Sequence, residues 1–133
     1  MNKITVKLED IKAQTQKALV NHGASKSTAE SVAEAVKIAE AENNKVCGLY
    51  YLESYCNQLK SNRVDGSVSP EVKKPSNSSV YVDAKNGFAQ PAFAAGFELA
   101  ISTAREQGIC LFTIAHSHTC TPMGFLTFQR SNK

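Results

Sequence analysis

The sequence lacks any segment that would place it in a membrane or direct it to the secretory pathway. No apolar run approaches the roughly 18 residues needed to cross a bilayer, and Met1–Asp10 has no apolar core of the kind found in signal peptides. The four cysteines, Cys47, Cys56, Cys110 and Cys120, form no C-x-x-C pair, and a reducing cytosol disfavours disulfides. We therefore expect a cytoplasmic protein with free thiols and no membrane partner.

The charge is also too low and too evenly spread for a nucleic-acid-binding surface. The formal net charge of the 133 residues is +3, and the densest basic group is the pair Lys73–Lys74, far short of a basic stripe that binds a phosphate backbone. A hydrophobic fraction of 42% with 20% charged residues is typical of a folded globular chain, not of a disordered one. The glycine-rich fingerprints of P-loop and Rossmann nucleotide sites are absent as well.

Apolar residues with helical spacing predict three helices in the first half of the chain. Residues 4–6 predict a short strand or an extended lead-in to the first helix, and that helix ends near Gly23, which suits a left-handed position. Ser27 and Glu30 have the pattern of a capping box, with Ser27 as the cap of the second helix. The predicted buried stripes are Ala29, Val32, Ala33, Val36 and Ala39 in the second helix and Leu49, Leu52, Cys56 and Leu59 in the third.

The apolar pattern changes after Pro75. Before it, Asp65–Gly66 indicates a turn, and Pro70 and Pro75 bracket what we expect to be an extended connector. After it, a strand, a helix and a second strand are predicted, and such a unit favours parallel strands joined by a crossover. We therefore predict an α/β (α+β) fold, with a helical amino-terminal region at residues 1–75 and the start of an α/β domain at residues 76–133.

The strand–helix–strand unit has recognisable boundaries. Residues 80–82 predict the first strand, and Asn86–Gly87 predicts a tight turn after it. Pro91 suits the first position of the helix, and Gly108 suits its end. Residues 109–115 form a continuous apolar run with β-branched residues, which predicts a buried strand. The apolar face of the helix consists of Phe93, Phe97, Ala100, Ile101 and Ala104.

Three segments, in the same order, resemble one family of oxidoreductases. They are Lys45–Tyr50 (KVCGLY) after the alanine-rich helix, Asp83–Ala92 (DAKNGFAQPA), and Ala115–Cys120 (AHSHTC). Together they are similar to the malate/L-lactate dehydrogenase family. Within it, Gly87–Ala92 most resembles the branch that reduces cyclic imino acids, the piperideine-2-carboxylate and pyrroline-2-carboxylate reductases. The resemblance covers nearly the whole chain but well under half of a full family member.

This resemblance implies a fold, a reaction and an assembly. The family joins a helical amino-terminal region to a cofactor domain that is not a Rossmann fold. It transfers hydride between NAD or NADP and a 2-oxo acid, a 2-hydroxy acid or a cyclic imino acid, and its members form homodimers. By resemblance the cofactor is NAD or NADP; the alternative is that this chain alone binds neither.

The family's first motif corresponds to the segment around Gly48. It reads Ser-His-Gly, with an arginine three residues after the glycine; the histidine donates a proton, the serine supports it, and the arginine grips the substrate carboxylate. Here these three positions hold Cys47, Val46 and Tyr51, respectively. A thiol is a poor copy of imidazole, valine cannot orient a proton, and tyrosine cannot offer a charged fork to a carboxylate.

The family's cofactor loop corresponds to residues 117–123. The first two residues match the family, whereas Thr119 replaces a histidine and Cys120 replaces an aromatic residue. Pro122 removes a backbone donor that a phosphate could use. The cofactor-binding positions that the resemblance assigns are Gly48, Ser117, His118, Thr119, Cys120, Thr121, Pro122 and Met123.

A zinc site is a second interpretation of the same loop. On an extended chain alternate residues point to the same side, which would bring His116, His118 and Cys120 together, with Cys110 as a candidate fourth ligand. We favour the interpretation without a metal, in which the segment is a remnant of the cofactor loop.

The altered motifs predict a truncated or degenerate member of the family that is inactive by itself. Hydride transfer requires donor and acceptor to be held in reacting geometry, and the proton donor, its support and the carboxylate clamp are all replaced. The alternative is a non-catalytic interaction module that pairs with itself or with an intact homologue through exposed apolar surface.

Overall fold

The computed structural model describes residues 4–118, which form four α-helices, two 3₁₀ turns and a three-stranded sheet. The first half contains α1 (Leu8–Asn21), α2 (Lys26–Ala41), the turns Lys45–Cys47 and Leu49–Tyr51, and α3 (Leu52–Lys60). The second half contains β1 (Glu71–Ser76), β2 (Ser79–Asp83), α4 (Ala89–Gln107) and β3 (Leu111–Ala115). This is the predicted mixed α/β fold class. Within this part of the chain no helix is both long and apolar enough to cross a membrane.

The helical half packs around the predicted stripe of α2. Val32 and Val36 are buried and share a core with Leu19 of α1 and with Cys56 and Leu59 of α3. Burial raises the pKa of the Cys56 thiol, which therefore stays protonated as a core residue. The other predicted stripe residues of α2, Ala29, Ala33 and Ala39, are buried as well.

The predicted end of α1 is confirmed, whereas the third helix begins later than predicted. α1 ends before Gly23, which has a φ of +103°, and His22 Nδ1 lies 2.7 Å from the Ala18 carbonyl oxygen. Leu49, by contrast, is 42% exposed, because it lies in a 3₁₀ turn and α3 begins only at Leu52. Its place in the third buried stripe was therefore wrong.

The cap of α2 lies two residues earlier than the sequence pattern indicates. Ser25 is the N-cap, and its Oγ accepts a hydrogen bond from the Thr28 backbone amide at 3.2 Å. The Ser25 amide donates to the Gly66 carbonyl at 2.9 Å, so the residue that caps α2 also contacts the turn after α3. The capping box predicted at Ser27 and Glu30 is wrong.

Replacing Ser25 with alanine should lower the free energy of unfolding by about 1 kcal/mol, the usual loss for a helix cap. Ser27→Ala is the matched control and should cost clearly less, because the exposed Ser27 hydroxyl shares a hydrogen bond with Ser25 Oγ, at 3.2 Å, and caps no backbone amide. Urea denaturation of both variants, followed by circular dichroism, measures the difference. Equal denaturation midpoints would contradict the cap at Ser25.

The sheet has the strand order β1-β2-β3. β1 and β2 pair antiparallel, whereas β2 and β3 are parallel, with Asp83 opposite Ala115 at their carboxyl ends. The predicted parallel pair is thus confirmed. α4 connects these two strands and packs on the sheet, and the buried core of this half consists of Val80, Val82, Ala84, Ala92 and Ala100.

β1 is a strand that the sequence analysis missed. Lys73, Lys74 and Pro75 show no alternation of apolar and polar residues, which is the usual signal for a strand. The strand is mostly exposed, and its register with β2 shifts between Lys73 and Ser76. An irregularity on an edge strand tolerates a proline, which cannot donate to the ladder. The expected connector between Pro70 and Pro75 is therefore largely an edge strand.

α4 ends as predicted but begins earlier. Its first residue is Ala89, so Pro91 occupies the third helical position and not the first. Gly108 ends the helix in the left-handed conformation, with a φ of +79°. Of the predicted apolar face, Phe93, Phe97 and Ala100 are buried, and Ile101 and Ala104 are half-buried.

β3 is shorter and more exposed than the apolar run predicts. It begins at Leu111, and the side chains of Ile109 and Leu111 are 71% and 64% exposed. Only one side of the strand faces α4, where Phe112 and Ile114 pack against the core of this half. The prediction of a buried strand over residues 109–115 is therefore wrong for the other face.

Candidate functional site

Two 3₁₀ turns carry the positions at which the family resemblance places catalytic residues. In the first turn, the Asn44 side chain accepts a hydrogen bond from the Cys47 amide at 3.4 Å. In the second, the Glu40 carboxylate accepts one from the Leu49 amide at 2.7 Å. Glu40 lies in the last turn of α2, so this helix determines the path of the segment.

Gly48 lies between the two turns, and packing explains why a glycine stands there. Its φ of −93° is accessible to any residue, but a Cβ at this position would overlap the Glu40 carboxylate. That carboxylate is the acceptor for the Leu49 amide. A larger residue at position 48 would therefore displace Glu40 and disturb the turn.

The three substituted positions of the first motif have different environments. Val46 is 62% exposed, and Cys47 is half-buried with a free thiol. Tyr51 is half-buried, and its ring centroid lies 5.4 Å from that of Tyr55. Together these side chains offer a thiol and a phenol, but neither an imidazole nor a guanidinium.

Four rings, from Tyr51, Tyr55, Phe88 and His118, form what we call the aromatic cluster. Tyr55 lies edge-to-face on Phe88 at 5.5 Å and on His118 at 6.4 Å, and Phe88 and His118 are 5.9 Å apart. Edge-to-face contacts at such separations are favourable because the ring edge is positive and the ring face negative. The cluster joins the turns before α3 to the loop after β3.

His118, a predicted cofactor-binding residue, is held firmly at this junction. Its backbone amide donates to the Gly87 carbonyl at 2.8 Å, and it forms a parallel bridge with Phe88. Burial lowers the pKa of its imidazole, so the ring stays neutral at a pH at which an exposed histidine begins to protonate. A neutral imidazole offers one donor and one acceptor nitrogen, which suits an uncharged polar group of a ligand.

The turn after β2 positions Phe88. Lys85 and Asn86 have positive φ values of 50° and 62°, and the Gly87 amide donates to the Ala84 carbonyl at 2.7 Å. The tight turn predicted at Asn86–Gly87 is thus confirmed, although its left-handed residues are Lys85 and Asn86. The Asn86 amide also donates to the His116 carbonyl at 2.8 Å, which ties this turn to the end of β3.

An aspartate–histidine pair lies at the carboxyl ends of β2 and β3, and the sequence analysis missed it. His116 Nδ1 is 3.0 Å from Asp83 Oδ1, and the Lys85 amide donates to the same oxygen at 2.8 Å. The hydrogen bond from Lys85, and after it that from His116, holds the pKa of Asp83 below its ordinary value. Because the His116 side chain is 63% exposed, its Nε2 is the nitrogen that a ligand can reach.

The geometry disfavours the zinc interpretation. His116 has a φ of +51°, so the chain is not extended there, and the alternation that would align His116 with His118 is broken. The His116 side chain forms a hydrogen bond with Asp83, whereas the His118 ring packs against Phe88. Among residues 4–118 no three His, Cys, Asp or Glu side chains are placed to hold a metal ion. Cys120 lies outside the described residues.

Most of the predicted cofactor loop also lies beyond the part that the structure describes. Of its residues, the structure places Ser117, which is exposed, and His118, which is half-buried. The remaining positions lie outside the described residues and keep the assignment that the resemblance gives them; they are Thr119, Cys120, Thr121, Pro122 and Met123.

Two further features near the aromatic cluster carry polar groups that the sequence analysis did not single out. An open depression of about 720 Å³ beside α3 is lined by Tyr51 and by Arg63, whose guanidinium could meet an anionic group. In the first turn of α4, Gln90 is 3% exposed, and its Oε1 has no hydrogen-bond partner among residues 4–118. A buried acceptor without a donor is costly, and a ligand with an N–H group would satisfy it.

Comparison with known proteins points to one family. The family model described as malate/L-lactate dehydrogenase matches residues 6–132. The Delta(1)-pyrroline-2-carboxylate/Delta(1)-piperideine-2-carboxylate reductase of Pseudomonas putida is 33% identical over 115 residues, which are 86% of this chain and 34% of that protein. The protein of the same description from Pseudomonas syringae pv. tomato is 37% identical over 103 residues, which are 77% of this chain and 30% of that protein.

Solved structures share the fold. The delta1-piperideine-2-carboxylate reductase from Pseudomonas syringae pv. tomato has a TM-score of 0.84 at 34% identity, over 87% of this chain and 35% of its own. Malate dehydrogenase from Entamoeba histolytica has a TM-score of 0.89 at 17% identity, over 98% of this chain and 37% of its own, which shows likeness of fold alone. The chain therefore spans about a third of the length of the relatives it matches.

Proposed function

Because the chain belongs to the malate/L-lactate dehydrogenase family, we propose that it carries part of the site of an NAD(P)-dependent oxidoreductase. The reaction is hydride transfer between a nicotinamide and a 2-oxo acid, a 2-hydroxy acid or a cyclic imino acid. The observation that carries this proposal is the 33% and 37% identity, over most of the chain, to two reductases of pyrroline- and piperideine-2-carboxylate. That identity favours a cyclic imino acid as the substrate class.

We also propose that the 133-residue chain does not turn over substrate by itself. Cys47 and Val46 stand at the positions of the family's proton donor and its support, and general acid catalysis contributes about 10²–10⁴-fold to a rate. Tyr51 stands at the position of the carboxylate clamp and cannot form a charge-assisted hydrogen-bond pair. The chain also spans only about a third of the length of the two reductases.

We propose that several of the described residues contribute to a nicotinamide site. NAD or NADP, when bound, would exchange the hydride. Ser117 and the neutral imidazole of His118 follow β3 at the carboxyl ends of the parallel strands, where ligands of such sheets bind. The buried Gln90 Oε1 could accept a hydrogen bond from an amide N–H of the cofactor. We propose that these residues orient the cofactor and that Gly48 contributes by leaving room for the Glu40 carboxylate, which holds the neighbouring turn at Leu49.

We propose a cytoplasmic protein that forms a homodimer, by analogy with the family. We also propose that residues 1–75 act as the helical region and residues 76–133 as part of the cofactor domain, although β1 crosses this division. A non-catalytic interaction module is the second candidate, and the exposed side chains of Ile109 and Leu111 are the observation that favours it.

The test of the proposal is an assay of nicotinamide oxidation. NADH or NADPH is mixed with pyruvate, a 2-oxo dicarboxylate or a cyclic imino acid, and the loss of nicotinamide absorbance is followed. The native chain and the triple variant Val46→Ser, Cys47→His, Tyr51→Arg should both show no measurable rate, whereas the Pseudomonas syringae reductase serves as the active control. Turnover by the native chain would overturn the claim of inactivity. Turnover by the triple variant alone would show that those three positions silence a site that is otherwise sufficient.

A further inference from the structure

The contact between Asp83 and His116 joins the carboxyl ends of two strands that are distant in the chain. Asp83 is the last residue of β2 and lies opposite Ala115, the last residue of β3, so His116 follows directly. His116 Nδ1 is 3.0 Å from Asp83 Oδ1. The Lys85 amide donates to the same oxygen at 2.8 Å, so the backbone of the turn after β2 holds the carboxylate that the imidazole meets.

The chemistry of this pair determines which ring nitrogen carries the proton. The hydrogen bond from the Lys85 amide, and after it that from His116, holds the pKa of Asp83 below its ordinary value, so the carboxyl group is ionised at neutral pH. An ionised carboxylate can only accept hydrogen bonds. The proton in this contact therefore lies on His116 Nδ1, in the neutral ring as in the charged ring. Nε2 is then the nitrogen that gains and loses a proton.

The backbone of His116 is restrained as well. Its φ is +51°, in the left-handed region that residues other than glycine seldom adopt. Its carbonyl accepts a hydrogen bond from the Asn86 amide at 2.8 Å, so both the backbone and the side chain of His116 are bonded to residues at the end of β2 and in the turn after it. Conformations of this kind cluster at functional sites.

The three histidines of the chain differ in what their rings can do. His22 lies at the end of α1, where its Nδ1 is 2.7 Å from the Ala18 carbonyl oxygen. Burial lowers the pKa of the His118 imidazole, which disfavours the charged form of that ring. His116, by contrast, has both an ionised partner and a side chain that is 63% exposed. It is therefore the histidine best suited to exchange a proton.

The charges beside the pair come from the turn after β2 and from β1. Glu71 is the partner of Asp83 in the register of β1 with β2, and its carboxylate lies 3.7 Å from Lys85 Nζ and 3.1 Å from Lys73 Nζ. Glu71 and these lysines partly offset each other's charge. The charge in direct contact with the His116 ring is that of Asp83.

We propose that His116, positioned by Asp83, is the residue of this chain that exchanges a proton at the candidate site, through Nε2. In the reducing direction, the Nε2–H bond of the charged ring breaks and its electron pair stays on the nitrogen. The proton passes to the substrate atom that becomes negative as hydride is added. The Nδ1 proton stays in its bond to Asp83, whose charge stabilises the charged ring, as in other aspartate–histidine pairs. This inference rests on the proposed function and names a proton-exchanging group for the same site.

This role of His116 is compatible with a chain that does not turn over substrate by itself. An imidazole exchanges protons near neutral pH more readily than the thiol of Cys47. Tyr51 still offers no guanidinium at the position of the carboxylate clamp, and the chain still spans about a third of the length of the related reductases. The test therefore measures the imidazole itself and needs no turnover.

Nitrogen nuclear magnetic resonance tests where the proton lies. At a pH well above the usual histidine pKa of about 6.5, native His116 should carry its proton on Nδ1. Asp83→Ala should distribute that proton over both ring nitrogens. Asp83→Asn should keep it on Nδ1, because the amide oxygen still faces the Lys85 amide and can accept from the ring. His22, whose Nδ1 faces a carbonyl oxygen, is the internal control and should not change.

Modification by diethyl pyrocarbonate, followed by mass spectrometry of peptides, measures the reactivity of the His116 ring. Its rate should fall about threefold or more in Asp83→Ala and in Asp83→Asn, because the reactivity of the nitrogen follows its basicity and both variants lose the negative charge. Asp65→Ala is the matched control. Asp65 also has a lowered pKa, but its Oδ1 accepts from the Ser67 amide and hydroxyl, at 2.9 and 2.7 Å, so its loss should leave the His116 rate unchanged.

Three results would overturn this proposal. They are a native His116 protonated on Nε2 and not on Nδ1, a native His116 that does not react with the reagent, and an Asp83→Ala chain with an unchanged proton position and rate. If circular dichroism showed that Asp83→Ala is unfolded, the native chain and Asp83→Asn would decide. The proposed function is tested separately, by the assay of nicotinamide oxidation, so the two can fail independently.

Discussion

Replacing Phe88 with alanine is expected to lower the free energy of unfolding by about 3–5 kcal/mol, the range for truncating a buried phenylalanine. Phe88 is only 1% exposed and belongs to the core of the helical half, although it lies in the loop before α4. Its ring lies edge-to-face on Tyr55 and on His118. The substitution removes these contacts and leaves a cavity where α3 meets the loops after β2 and β3.

The control for this prediction is Tyr50→Ala. Tyr50 is an aromatic residue of the neighbouring 3₁₀ turn, but it is 78% exposed, so its loss should change the free energy of unfolding by no more than about 0.5 kcal/mol. Urea denaturation of both variants gives the comparison. If Phe88→Ala proved no more destabilising than Tyr50→Ala, the aromatic cluster would not be the junction between the two halves.

Replacing Gly96 with valine is expected to cost about 1–3 kcal/mol, the range for overpacking a core. A Cβ at this position would lie 2.5 Å from Val82 Cγ2 and 2.7 Å from the Phe112 ring. Both contacts are on the sheet, so α4 would have to move away from β2 and β3. That movement would also shift the carboxyl ends of the two strands, which carry Asp83 and His116.

Ala95→Val is the matched control for Gly96→Val. Ala95 is the preceding residue of α4 and is exposed, so valine there reports only the small helix-propensity cost of a β-branched residue. Thermal unfolding of the two variants, with the nuclear magnetic resonance signal of His116 as a second measurement, distinguishes the effects. If the Gly96→Val chain proved as stable as the Ala95→Val chain, α4 would be able to move away from the sheet without a loss of stability.

The sequence predicts those elements whose signals are local. The apolar stripe around Val32 requires only helical spacing, and Gly108 requires only a left-handed position after a helix. β1 could not be predicted in this way, because an exposed edge strand with two lysines and a proline has no apolar face to reveal it. The Ser25 amide, at the true cap of α2, donates to the carbonyl of distant Gly66, and no local pattern reports that contact.

The candidate site likewise has features that the sequence predicts and features that it does not. The positions of Cys47, Val46 and Tyr51 come from the resemblance and not from local physics, and the structure adds only their surroundings. The Asp83–His116 contact could not be predicted, because it depends on the register that sets Asp83 opposite Ala115 and on the left-handed conformation of His116. The aromatic cluster likewise requires knowledge of which loops meet.

The aromatic cluster also bears on the order in which the chain folds. Contacts within the α1–α2 pair and the β1–β2 hairpin close short loops, whereas Tyr55, Phe88 and His118 come from distant parts of the chain. Closing a long loop costs conformational entropy before any contact between its ends can stabilise the chain. In the folded chain, the pairing of β3 with β2 is what places His118 beside Phe88. We therefore expect the junction that carries the candidate site to be the last part of this chain to assemble.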